Sequence, residues 1–200
     1  MHTVTIRLSH FFIAATFAFS LLFTSHSLAE TFNIQQLMQS LAKAKPHHAR
    51  FTEKKYFALL DEPVESSGEL FFVAPDQLEK RTLLPQAETL LVNGNKILIE
   101  RSNKTYYFTT QNLPELGVLI NSIRGTLAGN QSALERSFQL KLTGNNDGWK
   151  LQLTPTNEKI QKLIKYIHIA GHQSQIESIE VFQFDGDRSY MLIQPVKQTQ

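Results

Sequence analysis

The chain has no cysteine in its 200 residues. That excludes a disulfide scaffold, iron–sulfur ligation, thiolate zinc sites and a cysteine nucleophile. Charge is scarce as well. Asp, Glu, Lys and Arg together make up 19% of the chain, and the formal net charge is only +2. So nearly neutral a protein has no bulk field with which to hold nucleic acid. Apart from the N-terminal segment, no apolar run approaches the roughly 18 residues that a membrane-spanning helix requires. The length suits one domain with its own core.

What is abundant is phenylalanine, fourteen residues, five of them before residue 30. Residues 1–29 lack Asp and Glu and carry Arg7 as their one full positive charge. Phe11 to Phe23 is almost wholly apolar, and Ser27-Leu28-Ala29 has the small-x-small pattern that signal peptidase reads. These features predict a signal peptide over 1–29 and an exported domain over 30–200. An exported chain without cysteine points to the periplasm of a Gram-negative cell.

Hydrophobic periodicity then lays out the mature chain. Thr31 is a candidate N-cap for a helix carrying Phe32, Ile34, Leu37, Met38 and Leu41, closed by Pro46. From Ala49 the pattern alternates, as in strands. About ten strands are expected at spacings of 8–12 residues, with Asn93-Gly94 as a type I′ hairpin turn. The pattern switches once, after Leu113-Pro114, to a helix with Leu116, Leu119, Ile120, Ile123 and Leu127 on one stripe. A short helix follows near Ser132–Arg136. The expected architecture is mainly β: an incomplete, strongly curved antiparallel barrel with an N-terminal helix and a central helical lid.

Catalytic constellations are hard to find. His168 and His172 sit in a strand and its turn, so their i,i+4 spacing does not converge as it would on a helix. Asp185-Gly186-Asp187 reads as a hairpin turn, and Asp61, Glu62 and Glu65 as solvated loop charges. There is no Gly-x-Ser-x-Gly elbow and no phosphate loop. No catalytic residue, metal ligand or cofactor site is assigned. What stands out is apolar surface: Leu70 and Phe72 on one strand, then Leu90, Val92, Ile97 and Ile99, without the clean polar alternation of a half-solvated sheet. Helices packed on the open faces account for this, and so does a curved sheet enclosing an apolar pocket under the Leu116–Leu127 helix.

Several segments together carry a family resemblance. Phe51-Thr52-Glu53-Lys54-Lys55-Tyr56 is followed by Gly68-Glu69-Leu70-Phe71-Phe72 and Pro75. Then come Leu91-Val92-Asn93-Gly94-Asn95-Lys96-Ile97 and Trp149-Lys150-Leu151. In order and spacing, over roughly 31–195, they resemble the LolA family of periplasmic outer-membrane lipoprotein carriers. Leu78 to Thr82 and Ser122 to Gly129 resemble a LolA-like branch of it. The resemblance implies a hydrophobic cavity that shields acyl chains and a non-enzymatic, monomeric carrier without cofactor. It implies cargo from an inner-membrane donor complex, passed to an outer-membrane acceptor. The implied lipid-binding residues are Phe51, Leu70, Phe72, Leu78, Leu90, Val92, Ile97, Ile99, Phe108, Leu116, Ile120 and Ile123. Main-branch carriers have an arginine before the Pro75 position, where it tethers the lid; here Ala74 stands there, and Arg81 and Arg124 are the candidate substitutes. Another lipid in place of a lipoprotein, and a sensor domain of the same fold that binds a lipidated ligand, are the alternatives.

Overall fold

The computed structural model describes residues 32–44 and 47–196; the expected signal peptide and Thr31 lie outside the described residues. The first element is α1 (Ile34–Ala42). Its cap is Asn33: the Asn33 side chain accepts from the Gln36 N–H, and the Gln36 side chain accepts from the Asn33 N–H. This reciprocal pair satisfies two donors that a helix start leaves open.

Six strands follow: β1 (His47–Tyr56), β2 (Val64–Val73), β3 (Gln77–Leu84), β4 (Glu88–Asn93), β5 (Lys96–Arg101) and β6 (Lys104–Thr109). Then come α2 (Pro114–Leu127), α3 (Gln131–Glu135), β7 (Phe138–Asn145), β8 (Gly148–Pro155), α4 (Glu158–Gln161), β9 (Ile164–His172), β10 (Gln175–Gln183) and β11 (Arg188–Pro195). The strands form one antiparallel sheet in the order β6-β5-β4-β3-β2-β1-β11-β10-β9-β8-β7. β6 and β7 are its edges, so the sheet does not close. The expected incomplete antiparallel architecture is therefore present, with eleven strands.

Two local expectations change. The β4–β5 loop is Gly94-Asn95, because Asn93 pairs with Lys96. Of these two, only Gly94 has positive φ, at 57°. That is the signature of a type II′ turn, in which glycine takes the first central position, rather than type I′. The four-residue α4 was not anticipated; Asn157 caps it, and it is too short to show periodicity.

Curvature follows from how α2 packs. Ile120 joins Val92 of β4 and Ile97 of β5 in one cluster, whereas Leu119 and Ile123 pack against a larger cluster that includes Leu151, Ile167 and Ile169 of β8 and β9. In a flat sheet β5 and β9 would stand about 34 Å apart, at about 4.8 Å per strand. One helix about 10 Å wide can touch both only if the sheet curls around it. The larger cluster, with α1 contributing Leu37, Met38 and Leu41, is the main core. At the far end of α2, Gly129 (φ 60°) lies so close to α1 that an added Cβ would stand 2.1 Å from the Met38 carbonyl oxygen.

Candidate functional site

Strand register puts the nine strand residues singled out above on one face. Ala49 pairs with Leu70, Phe51 with Gly68, and Phe72 with Leu78. Leu78 pairs with Val92, Val92 with Ile97, Ile97 with Phe108, and Leu90 with Ile99. This is the concave face, toward α2. Val92, Ile97 and Ile120 are fully buried together, and Leu78, Leu90, Ile99, Phe108 and Leu116 pack around them partly buried. Phe51 and Phe72 are buried as well, between the two arms of the sheet. Ile123 is the exception: it packs on the wall formed by the main core, not on the β3–β6 wall.

α2 is fastened at its C-terminal end. The Arg124 guanidinium donates to the carbonyl oxygens of Asp76 (3.2 Å) and Gly94 (2.6 Å), and to the Asn121 side chain (2.6 Å). Those carbonyls belong to the β2–β3 and β4–β5 turns, so one side chain pins the helix to two hairpin tips. Arg81 is on the opposite, convex face: it pairs with Glu79 and stacks its guanidinium over Phe71. It does not touch α2, and of the two candidate tethers only Arg124 has the geometry. The N-terminal end of α2 has no side-chain cap from Leu113. Ser122 and Thr126 are fully buried, but each hydroxyl donates to a carbonyl of the same helix, Leu119 and Ser122 respectively. They therefore sit in an apolar seam without an unmet donor.

Beneath that uncapped N-terminal end lies a cavity of about 250 Å³. Leu116, Leu119, Ile164 and Val181 form apolar walls, and Glu53, Lys55, Glu115, Asp187 and Arg188 bring charge to it. Only Leu116 of the twelve anticipated residues lines it. A depression of about 350 Å³ by α1 is walled by polar side chains such as Gln36, Gln39 and Lys43 and by Ser174.

The concave face also holds a buried charge. Glu53 is 5% exposed. Its Oε2 meets Lys80 Nζ at 2.5 Å and accepts from Ser66 Oγ at 3.4 Å. Lys80 lies over the Phe51 ring, 4.7 Å from its centroid. Sequence reasoning passed over Glu53, although its alternation with Phe51 was the available signal. Among the described residues no three His, Asp or Glu are grouped to hold a metal ion, and no helix is long and apolar enough to cross a membrane.

This concave, helix-covered face carries the segments that suggested a carrier family, and residues 26–198 match the family described as outer membrane lipoprotein carrier protein LolA-like. The chain belongs to this LolA-like family. No curated protein sequence matches the chain. Among solved structures it is similar to a LolA superfamily protein from Nitrosomonas europaea (7% identity, TM-score 0.43, 85% of this chain and 96% of that one). It is also similar to the Mycobacterium tuberculosis lipoprotein LppX (10% identity, TM-score 0.43, 84% and 96%). A chain of the Pseudomonas aeruginosa MucA/MucB complex is a third (12% identity, TM-score 0.43, 84% and 58%).

Proposed function

We propose that this LolA-like protein is a non-catalytic carrier that shelters the acyl chains of a lipoprotein, or of a related lipid, between the concave face of its sheet and α2. It is made with a signal peptide over 1–29, works in the periplasm as a mature chain over 30–200, and moves cargo from an inner-membrane donor toward an outer-membrane acceptor. The observation that carries the reading is the asymmetric fastening of α2 over an apolar concave face. One end is clamped by Arg124; the other is uncapped and roofs a cavity.

A carrier has two opposed requirements. Acyl chains in water cost about 0.8 kcal/mol per CH₂, so binding has to match most of that. Release then has to be possible without unfolding the protein. A helix that swings about a clamped end meets both, because opening it removes contacts from one wall while the main core stays intact. At about 250 Å³ the closed cavity is smaller than the ~300–1,000 Å³ of ordinary ligand sites, so loading two or more chains needs α2 to move.

The test is native mass spectrometry of the protein purified from periplasm. The expected spectrum shows a chain beginning at Glu30, with lipid or lipoprotein adducts. A full-length chain recovered in the inner membrane, or no saturable binding of lipid at micromolar concentrations, overturns the reading.

A further inference from the structure

If the cavity beneath α2 holds acyl chains, as proposed above, its charged wall calls for an explanation. Glu53 stands on β1 two residues beyond Phe51, on the same concave face, and is almost wholly buried. Folding has no need of an ion pair there, because apolar side chains of similar volume in place of a buried pair are often neutral or stabilising.

The two carboxylate oxygens differ. Oε2 is occupied by Lys80 and Ser66. Oε1 lies 3.9 Å from Lys55, beyond hydrogen-bond reach. Among the described residues no donor is hydrogen-bonded to Oε1, although an ionised carboxylate can accept several hydrogen bonds. Glu53 lines the cavity whose other walls are Leu116, Leu119, Ile164 and Val181. Of the remaining charged groups there, Asp187 accepts from the Ala58 N–H at 2.8 Å and Arg188 lies 3.6 Å from Glu180. Lys55 is half exposed, and Glu115 is exposed.

Such a wall sorts ligands by their heads. Lys80 cancels the charge of Glu53, so the pair does not draw cations; it presents one unfilled acceptor at the end of an apolar slot. A head with an N–H or O–H fills it. A head without a donor, an ionised carboxylate included, leaves it unmet.

We propose that Glu53 Oε1 accepts a hydrogen bond from an N–H or O–H at the head of the acylated cargo, selecting acyl amides or acylglycerols over simple esters and free fatty acids.

The experiment measures displacement of an environment-sensitive dye by two matched pairs: N-methyloleamide against N,N-dimethyloleamide, and monoolein against methyl oleate. In each pair the acyl chain is the same, and one member has the donor. The expected result is that the donor member of at least one pair binds about 10- to 100-fold more tightly, the range of a hydrogen bond to a charged group. The pair that shows it tells amide from hydroxyl. In Glu53→Met/Lys80→Met the preference should vanish, while methyl oleate and N,N-dimethyloleamide bind nearly as before. Equal affinities within both pairs on the unaltered protein overturn the assignment while leaving the carrier reading in place, and this arm decides even if the double variant does not fold. A preference that survives in the folded double variant overturns it as well. If none of the four compounds binds, both readings fall.

Discussion

Arg124→Met tests whether α2 is a hinged lid or part of the core. The substitution keeps the length of the stem and removes the guanidinium, and with it the bonds to the Asp76 and Gly94 carbonyls at 3.2 and 2.6 Å. Hydrogen bonds to a charged group contribute about 1.5–3 kcal/mol each. Here the freed acceptors are turn carbonyls that water can reach, so the combined loss falls below the sum of two such bonds, to about 2–3 kcal/mol. On a lid equilibrium that is about 30- to 150-fold toward the open state. Native-state hydrogen exchange reads it directly: α2 amides should exchange faster by that factor, while amides of β8 and β9, which belong to the main core, keep their protection. Cargo should leave the variant faster by a similar factor. Arg124→Lys should fall between, since an ammonium has no fork with which to reach two carbonyls. Equal loss of protection in α2 and in the sheet would mean that α2 opens only by global unfolding, and the hinge would be refuted.

Two further expectations follow from the same geometry. Ile120→Glu places a carboxylate against Val92 and Ile97, where burying an unpaired charge is costly; the seam should stay open and lipid binding should be lost with only a small fall in melting temperature, whereas a collapse of the melting temperature would make the seam ordinary core. His168 sets an acid-side slope. Burial first, and then Lys150, hold its imidazole below the ordinary 6.5, with Glu180 opposing. The folded protein therefore takes up that proton less readily than the unfolded chain, so its stability contribution is complete above about pH 6.5 and declines as pH falls through that value toward the lower folded one. Urea midpoints at about pH 7.5 and about pH 5.5 should differ less in His168→Gln than in the unaltered protein, and an identical difference would dismiss His168 as the source.

Sidedness was the most legible property of the sequence. Strands have a period of two, so Phe51, Leu70, Phe72 and the residues of the β4–β5 hairpin share a face once the strands are paired. The same parity places Glu53 inside and Arg81 outside: Arg81 is one residue from Lys80, which faces α2. Pro114 marked the start of α2 because proline suits a first turn. Less visible was that α2 serves two walls. Its second apolar side is interrupted by Gly117, Ser122, Gly125 and Thr126, which read as polar or helix-weakening. Their burial is affordable only because the two hydroxyls bond back into the helix, a compensation that spacing does not reveal. Hence Ile120 and Ile123 looked like one stripe, although they meet opposite arms of the sheet. The cavity was also out of reach, since it is shaped by β1, β9, β10 and β11 together with the first two turns of α2, elements far apart along the chain.

The position of β11 between β1 and β10 has a kinetic consequence. Ala49 pairs with Pro195, so the middle of the sheet is zipped from nearly the two ends of the described chain. Until the last strand is available, the molecule can form a six-stranded meander, β1 to β6, and a four-stranded one, β7 to β10, but cannot join them. Loop closure over such a separation has to be met before any contact across the join rewards it, so folding belongs to the slow, high-contact-order class. The two half-sheets then have open edges at β1 and β10 with apolar faces behind them, and those are the surfaces on which an incomplete chain would pair with another copy. A chain that stops short of Arg188 keeps both meanders, α2 and its Arg124 clamp, yet has lost the strand that makes them one sheet.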